Sequence, residues 1–385
     1  MSPLSQRRVN DAIAPMEILI VVGTLTGLGG IETCVRSLAE EAEANGDIAR
    51  ILALCPSTTD ARWHQGLNYS EVENGSTSLK RQVVRGLPAV ARACRRHPPD
   101  VVVVIYGSSI PIVRMGLLLA GLRRPVLAWL HFSTQLKQRL GLLRFAQGHI
   151  CISREIADAT RAMDGVASEH VYLVHNGTRV DSADPIARTD GGPLRLVHVG
   201  RLMIGGQKRT DDLLRALSRV RGEWRLDLIG TAGRAGETER LQALARELGI
   251  SQRVHWLGWQ TDPWHTLSAA DLLVLCSAFE GFPMVLIEAM ARGVPCLSSD
   301  CSSGPSDIVR QGENGWLYPV ADQDALTGHL QRLVDDRTLL PPRDRVRASV
   351  TQFASREVFQ NIRRALARTI GLDRGTMMAK TTVEH

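Results

Sequence analysis

The sequence predicts an α/β protein built from two doubly wound parallel sheets, each in a domain of its own. The chain has 385 residues, more than the roughly 250–300 residues that a single hydrophobic core usually serves. Short apolar runs alternate with amphipathic helical segments, as they do in βαβ units. A polar stretch at 176–193, rich in Gly, Pro and Asp, separates two such series and is the predicted linker.

The first predicted domain covers residues 16–180 and follows a flexible tail, 1–15. The apolar run 16–22 has the length of a buried strand. After a glycine turn at 27–30, apolar residues recur with helical spacing, and Gly46 suits the end of that helix. Continuous apolar runs indicate further strands of a sheet that is covered on both faces; they lie at 49–54, 101–106, 126–130, 149–152 and 170–174.

The second predicted domain covers residues 181–370, and a second tail covers 371–385. The same alternation predicts strands at 194–199, 224–229, 253–257, 271–275 and 295–298, and helices at 210–221, 237–248 and 284–292. We expect the last helix to pack back on the first domain. Because ligands of doubly wound sheets bind at the carboxyl ends of the strands, we expect a site in a cleft between the two domains.

Composition excludes several classes of protein and predicts a location. With 44% hydrophobic and 22% charged residues, the chain is neither disordered nor collagen-like. Seven cysteines, an odd number without a C-x-x-C pair, suit reduced thiols in the cytoplasm. No apolar run reaches the ~18 residues of a membrane span, and the N-terminus lacks an apolar secretion signal. We expect a cytoplasmic protein whose only membrane contact is peripheral, on the inner face of the cytoplasmic membrane.

The net charge of +6 is unevenly distributed along the chain. Residues 79–144 contain twelve basic residues and one acidic residue, a net charge of +11, which leaves −5 for the rest. Leucines are interleaved with these charges, a pattern that suits the surface of an anionic membrane. A phosphorylated acceptor would suit it too, and a plain alternative is a set of solvated helix faces in an arginine-rich chain.

Two strand-to-helix junctions carry residues suited to phosphate. Gly29 and Gly30 would let the backbone of a helix N-terminus approach a phosphate, or they only permit a tight turn. After the strand 194–199, Arg201 and Lys208 flank a Gly205-Gly206 turn and could both reach a diphosphate. Solvated surface charges are the alternative there. The G-x-G-x-x-G and Walker patterns are both absent.

A third junction, EGFPMVLIE at 280–288, places two carboxylates around a helix start. Glu280 would precede the helix and Glu288 would lie about one turn into it, so both can face the cleft beside free backbone N–H groups. Carboxylates accept hydrogen bonds from sugar hydroxyls. The alternative is a cap residue and a solvated helix residue, but Glu288 has apolar neighbours in sequence and needs a partner.

His131, at the end of the strand 126–130, is a weaker candidate because a lone histidine at a strand end is often structural. The D-x-D pattern that starts at Asp322 resembles a metal site, but it opens a helix, which favours N-capping.

These segments together resemble the retaining nucleotide-sugar glycosyltransferases of the E-x7-E type (family 4). That family has the GT-B architecture, in which two Rossmann-like domains face a central cleft. Two segments, GQKRTDDLL at 206–214 and SSDCSSGPSDIV at 298–309, are most similar to the lipopolysaccharide-core α-1,6-galactosyltransferase branch. The resemblance covers nearly the whole chain, with GTLTGLGGIET at 23–33, HICIS at 149–153, VHNGTRVD at 174–181, HVGRL at 198–202, VHWLGW at 254–259, CSAFEGFPMVLIEAMARGVPCLSSD at 276–300 and GENGWLYP at 312–319.

The resemblance implies roles for individual residues. Glu280 is implied to hold the donor sugar and Glu288 the ribose hydroxyls, while His131 would lie beside the reacting sugar. The remaining donor-binding residues that it implies are Gly29, Gly30, Arg201 and Lys208 at the diphosphate, Gly258 and Trp259 at the nucleobase, and Gly281, Phe282, Met284 and Val285 around the helix start. The sequence departs from the family in two places: Arg201 and Lys208 are farther apart than in many relatives, and Asp307 replaces a glutamate.

The resemblance therefore implies a hexosyltransferase that moves galactose or glucose from a UDP-sugar to an amphiphilic glycan acceptor such as a lipopolysaccharide core. It implies no metal and no other cofactor. A nucleotide-sugar epimerase of the same fold, or a non-catalytic glycan or nucleic-acid binder, stays open as an alternative. The intact pair Glu280 and Glu288 argues against a decayed site, and we expect no nucleic-acid partner.

Overall fold

The structure, a computed structural model, describes residues 13–23, 25, 29–56, 62–72, 79–132, 140–189 and 191–381. The chain divides into two compact units. The first unit comprises Met1–Ile152, Ile156–Gly177 and Ser355–His385, and the second comprises Ser153–Glu155 and Thr178–Ala354. The predicted second domain ran to residue 370, whereas the second unit ends at Ala354.

The first unit contains a parallel sheet whose strands alternate with helices along the chain. Its central strands are buried on both faces, as expected for a sheet with helical cover on each side. The strands are β1 (Glu17–Val22), β2 (Ile48–Ala53), β3 (Tyr69–Glu71), β4 (Val101–Val104), β5 (Val126–Leu130), β6 (Gly148–Cys151) and β7 (Val171–Leu173). The helices are α1 (Gly30–Ala44), α2 (Leu79–Arg96), α3 (Ile110–Leu119) and α4 (Arg154–Arg161).

The second unit repeats this plan with a second parallel sheet. Its core joins Leu194, Leu196, Leu228 and Val274 to the apolar faces of the surrounding helices. The strands are β8 (Leu194–Val199), β9 (Trp224–Ile229), β10 (Val254–Gly258), β11 (Leu272–Leu275), β12 (Cys296–Ser299) and β13 (Gly315–Tyr318). The helices are α5 (Thr210–Ser218), α6 (Glu237–Glu247), α7 (Met284–Ala291), α8 (Pro305–Ile308), α9 (Gln323–Asp335) and α10 (Arg343–Ala348).

The final helix, α11 (Ser355–Thr381), belongs to the first unit, which is why the second unit ends before it. It contacts α1 and β6. Arg363 pairs with the buried carboxylate of Asp47 at 2.8 Å, and Asp47 also accepts the backbone N–H of Met16. A buried ion pair of this kind is costly to break, by about 3–5 kcal/mol, and it holds α11 on the first sheet.

Strand order creates a switch point in each sheet, and the α/β fold predicted from sequence is confirmed. The order is β3-β2-β1-β4-β5-β6-β7 in the first sheet and β10-β9-β8-β11-β12-β13 in the second. The direction of winding reverses between β1 and β4 and again between β8 and β11. Loops diverge at such a point and leave room for a ligand at the carboxyl ends of the strands.

Candidate functional site

The strongest constellation of polar residues lies at the switch point of the second sheet. The chain leaves β8 into the segment 200–209 and leaves β11 into the segment 276–283. Because β8 and β11 pair directly, these two segments emerge side by side. They carry Arg201, Lys208 and Glu280, which the sequence singled out separately.

The segment after β8 folds into a defined turn. A Cβ atom at Gly230 would come within 1.9 Å of the Gly200 carbonyl oxygen, so the backbone after β8 lies directly against the end of β9. Gly205 and Gly206 both adopt left-handed conformations, with φ near +57° and +58°, which favour glycine. The backbone N–H of Gly205 donates to Asp211 at 2.7 Å. The two glycines therefore reverse the chain and bring Lys208 back towards the sheet.

Gln207 joins the two segments, and sequence reasoning missed it. Its side-chain oxygen accepts a hydrogen bond from Arg201 at 2.5 Å, and its amide nitrogen donates to the carbonyl of Phe279 at 3.2 Å. Its own backbone carbonyl accepts the N–H of Ala278 at 2.7 Å. Arg201 and Lys208 are widely separated in sequence, and Gln207 links Arg201 to the loop that carries Glu280, the partner of Lys208. In the sequence, only the position of Gln207 between Arg201 and Lys208 indicates that it could link the two segments.

Lys208 and Glu280 form a buried ion pair. The Lys208 Nζ lies 2.6 Å from Oε1 of Glu280, and their side chains are only 14% and 9% exposed. A buried cation or carboxylate alone would be strongly unfavourable, so each residue requires the other. The sequence assigned them to different parts of a donor, the diphosphate and the sugar, and the structure brings them together.

The backbone around Gly281 is held by a loop that the sequence did not point to as functional. The Ser303 hydroxyl donates to the Gly281 carbonyl at 2.8 Å. Gly304 has φ +106°, and a Cβ there would lie 2.6 Å from Pro283 Cδ. Phe282 is buried and packs edge-on against Phe353, with ring centroids 5.6 Å apart. The side chain of Phe282 is thus part of the core, which leaves the backbone of 281–282 as the part able to meet a ligand.

Helix α7 starts one residue after Pro283, which occupies the N-cap position. Met284 is buried, Val285 is partly buried, and the Leu286 N–H donates to the Pro283 carbonyl. The first N–H groups of a helix have no acceptor within the helix, so this end is electropositive. The backbone N–H groups of Met284 and Val285 therefore lie at this electropositive end of α7.

Glu288 has the partner that its apolar surroundings required. The indole N–H of Trp264 donates to its Oε2 at 3.1 Å. Burial raises the pKa of Glu288, and the Trp264 hydrogen bond and the positive charge of Arg292 oppose that rise. The carboxylate is thus anchored to the loop after β10, and it can accept hydrogen bonds from ligand hydroxyls.

Gly258 and Trp259 mark the end of β10. The Gly258 carbonyl accepts the Gly230 N–H at 2.8 Å, and Gly258 has φ +67°. Trp259 is 47% exposed, which is unusual for so large an aromatic residue. An exposed indole at a strand end can stack on a planar ligand such as a nucleobase.

His198 lies close to the Lys208–Glu280 pair, although it is not among the predicted site residues. It is fully buried, and its Nδ1 lies 2.9 Å from the Val274 carbonyl. Burial lowers its pKa to about 4, with a further lowering by Lys208 and an opposing effect of Glu280. Its Nε2 has no hydrogen-bond partner among the described residues. The imidazole is therefore neutral beside the ion pair.

The candidates in the first unit lie at the ends of β1 and β5. Gly29 caps α1 and Gly30 begins it, and neither has a positive φ, so the turn does not need glycine for its backbone conformation. A Cβ at Gly29 would lie 2.7 Å from the buried carboxylate of Glu32, while Gly30 borders open space. The glycines thus provide room rather than an unusual conformation. Gly27 lies outside the described residues.

His131 is buried directly after β5 and packs against Trp129 with ring centroids 4.5 Å apart. Burial lowers its pKa to about 3, and its Nε2 has no hydrogen-bond partner in the described part of the chain. His131 is thus neutral and suited to hydrogen bonding rather than to charge stabilisation.

The D-x-D pattern has the capping function predicted for it. Oδ1 of Asp322 accepts the N–H of Ala325 at 2.9 Å and so caps α9. A side chain engaged in this way explains the pattern without a metal ion.

Exposed apolar and basic residues share α2 and α3. Met115, Leu118 and Leu119, which are 49–60% exposed, fall at i, i+3 and i+4 on one face of α3. The Arg95 guanidinium donates to the Leu119 carbonyl, which places Arg95 beside this face, and α2 and α3 pack against each other. We call the exposed apolar and basic residues of these two helices the apolar-basic surface; on α2 they include Lys80, Arg81, Val84, Arg92 and Arg96. Lys137 and Arg139 of the basic segment lie outside the described residues.

None of the helices in the described ranges has the length and apolar character needed to cross a membrane.

Comparison with known proteins gives matches along almost the whole chain. Residues 28–182 match the family model Glycosyltransferase Family 4, and residues 181–352 match Glycosyl transferases group 1. A lipopolysaccharide 1,6-galactosyltransferase from Salmonella typhimurium is 31% identical over 91% of this chain and 98% of its own length. The protein of the same name from Escherichia coli is 29% identical, over 92% and 99%.

Solved structures agree with these matches. The lipopolysaccharide outer core galactosyltransferase WaaB, in its apo form, superposes with a TM-score of 0.80 at 31% identity, over 91% of this chain and 99% of WaaB. Anabaena HepE, in a structure with UDP, gives a TM-score of 0.77 at 20% identity, over 92% and 100%. At that identity HepE shows a shared fold only.

His198 should make the stability of the protein depend on pH. Its folded pKa of about 4 lies below its ordinary value of 6.5, so the unfolded chain binds the proton first and stability falls as pH drops through this window. His198 should lower the free energy of unfolding by about 2 kcal/mol between about pH 7.5 and about pH 5. Urea titrations of His198→Asn should show a correspondingly flatter pH dependence. The control His97→Asn, at an exposed position, should keep the wild-type slope, and an unchanged slope in His198→Asn would contradict the burial argument.

Proposed function

The chain belongs to the glycosyltransferase family of these relatives, and on this premise we propose that it transfers a hexose from a UDP-sugar to a lipopolysaccharide-core or related cell-surface glycan. The proposed hexose is galactose or glucose, and the proposed stereochemical course is retention. That the chain is a glycosyltransferase follows from the near full-length match to a relative of 31% identity. The donor, the acceptor and the residue roles are the proposed part.

The observation that carries the proposal is the ion pair of Lys208 and Glu280 at the switch point of the second sheet. A nucleotide-sugar combines an anionic diphosphate with a hydroxyl-rich ring, so its site needs cations beside hydrogen-bond acceptors. Lys208 and Arg201 supply the cations, and Glu280 supplies the acceptor. On binding, the diphosphate would take over Lys208 and the sugar hydroxyls would take over Glu280, so neither charge would lose its partner.

In the proposed reaction, the bond between the anomeric carbon and the diphosphate oxygen breaks, and a bond to an acceptor oxygen forms on the same face of the sugar. The acceptor hydroxyl gives its proton to an oxygen of the departing diphosphate, and UDP leaves with the bonding electron pair. Arg201, Lys208 and the N–H groups at the start of α7 would stabilise the charge that develops on the leaving diphosphate. We propose that these groups suffice and that no metal ion or other cofactor takes part.

The other residues fit the remaining parts of the donor. Glu288 would accept hydrogen bonds from the ribose hydroxyls, and Trp259 with Gly258 would meet the base. Gly29, Gly30 and His131 of the first unit would contact the diphosphate and the reacting sugar. The names of the Salmonella and Escherichia coli relatives support a lipopolysaccharide acceptor and a galactosyl donor.

We also propose that the apolar-basic surface attaches the enzyme to the cytoplasmic face of an anionic membrane, where an amphiphilic acceptor resides. Exposed leucines can enter the headgroup region while arginines contact anionic lipid. The proposed location is therefore cytoplasmic and peripheral.

Removing the Glu280 carboxylate should abolish transfer. We expect Glu280→Gln to lower the rate by at least about a hundredfold, because the side chain loses the charge that Lys208 and the sugar require. The assay follows radiolabelled hexose from UDP-galactose or UDP-glucose into a truncated lipopolysaccharide core, with EDTA present. The matched control is Asp227→Asn, because Asp227 is also buried and pairs with an arginine but lies within β9.

Near-wild-type transfer by Glu280→Gln would refute its role, and strict dependence on added metal would refute the metal-free reaction. Conversion of the donor without acceptor would instead indicate an epimerase.

Membrane attachment should depend on the apolar face of α3. Leu118→Asp should weaken co-sedimentation with phosphatidylglycerol vesicles by about tenfold, since a leucine contributes about 1.5–3 kcal/mol when it leaves water. The control Leu339→Asp changes a similarly apolar, 39% exposed residue of the second unit and should bind like wild type. Equal binding of both variants, or equal wild-type binding to phosphatidylcholine vesicles, would contradict the proposal.

A further inference from the structure

Trp264 lies in the loop between β10 and β11, outside every segment so far assigned a role at the donor. Its side chain is buried, with 5% exposure, and its indole N–H donates to Oε2 of Glu288 at 3.1 Å. Its backbone N–H donates to Asp262 at 2.9 Å, which fixes the start of this turn. Trp264 is therefore held by hydrogen bonds from both its backbone N–H and its indole N–H.

Arg292 completes the support of this indole. Its guanidinium carbon lies 5.1 Å from the centre of the Trp264 ring, within the range of a cation–π contact. It also donates to the backbone carbonyl of Glu288 at 3.0 Å, so it binds the last turn of α7 and the face of the indole together. Trp264 is thus pinned between Arg292 and Glu288.

In this arrangement the two oxygens of the Glu288 carboxylate have different environments. Oε2 is occupied by the indole, while Oε1 has no hydrogen-bond partner in the described ranges. An indole is a donor only, so it holds a carboxylate without competing for the hydroxyl hydrogens of a ligand. Glu288 is only partly buried, and three side-chain torsions must be fixed to hold its carboxylate in one orientation. Without the indole it could rotate away from a ligand.

We propose that Trp264, supported by Arg292, is a positioning residue that orients Glu288 and so sets the preference of the site for a ribose nucleotide over one that lacks the two ribose hydroxyls. The proposal rests on the proposed function of Glu288 as the acceptor for ribose hydroxyls. A carboxylate aimed at those hydroxyls discriminates against a ligand that lacks them, because a charged group that the ligand covers and leaves without a partner is costly. A carboxylate without a fixed orientation discriminates only weakly between ligands with and without these hydroxyls.

The test measures dissociation constants of UDP and 2′,3′-dideoxy-UDP for the full chain by calorimetry. Trp264→Phe keeps a ring for Arg292 but removes the N–H donor. We expect the wild type to prefer UDP, and Trp264→Phe to lose about tenfold of that preference, the usual effect of one hydrogen bond to a charged group. The matched control is Trp224→Phe, another buried tryptophan of this unit whose N–H donates to the Val220 carbonyl; it should keep the preference.

The pH dependence gives a second readout that a merely structural role would not move. The indole hydrogen bond helps to keep the pKa of Glu288 down, so its loss should shift the acid limb of UDP binding to higher pH. Arg292→Met, which removes the supporting cation but leaves the indole, should lower the ribose preference as well. This variant tests the proposal if Trp264→Phe fails to fold.

Glu288→Gln separates this inference from the proposed function. If Glu288→Gln loses the ribose preference and Trp264→Phe and Arg292→Met both retain it with an unshifted acid limb, Glu288 binds ribose and the positioning role of Trp264 is wrong. If Glu288→Gln itself retains the preference, the ribose role of Glu288 fails, and the inference fails with it. Loss of the preference in all three variants, but not in Trp224→Phe, is the expected result.

Discussion

The ion pair between Lys208 and Glu280 is the interaction on which the arrangement of the second unit depends. Both side chains are almost completely buried, and each would be unstable there without the other. Their pairing requires the chain after β8 to turn back through Gly205 and Gly206, and it requires the loop after β11 to present Glu280 before α7 begins. The strand order supplies this proximity, since β8 and β11 are neighbours at the point where the winding reverses.

The two glutamates of the E-x7-E pattern are held in chemically different ways. Glu280 is held by a cation, which a diphosphate can take over, so its environment can change when a donor binds. Glu288 is held by a neutral indole N–H, which a diphosphate has no tendency to displace. The first arrangement suits a residue at the reacting end of a nucleotide-sugar, and the second suits a fixed contact to the part of the donor that does not react. Burial acts in both cases, because it makes each partner necessary.

Much of the fold could be predicted because buried strands of parallel sheets are continuous apolar runs. The strands at 126–130, 194–199 and 224–229 were placed to the residue. Two strands were missed: β3 has three residues of which none is buried, and β13 has four of which only two are. The bounds of helices α2 and α3 were not predicted, although the basic segment that contains them was identified. In α2, arginines obscure the apolar spacing that would indicate a helix.

The candidate site was predictable residue by residue but not as a set of contacts. Lys208 and Glu280 are 72 residues apart in sequence, and no local pattern shows that they pair. Trp264 and Gln207 lie in polar segments without periodicity, so their contacts follow only from the strand order. His198 is not among the predicted site residues, because it lies within an apolar strand, where a histidine is usually structural. What sets it apart is its deep burial beside the ion pair.

The proposed function depends most on the cations at the end of β8, which we propose bind the diphosphate of a nucleotide-sugar. The most direct measurement is a calorimetric titration of UDP and of uridine into the wild type and into Lys208→Met. We expect UDP to bind the wild type at one site, Lys208→Met to weaken UDP binding at least about tenfold, and uridine to bind both proteins equally. Equal affinity of the two proteins for UDP, or no binding of UDP to the wild type, would contradict it.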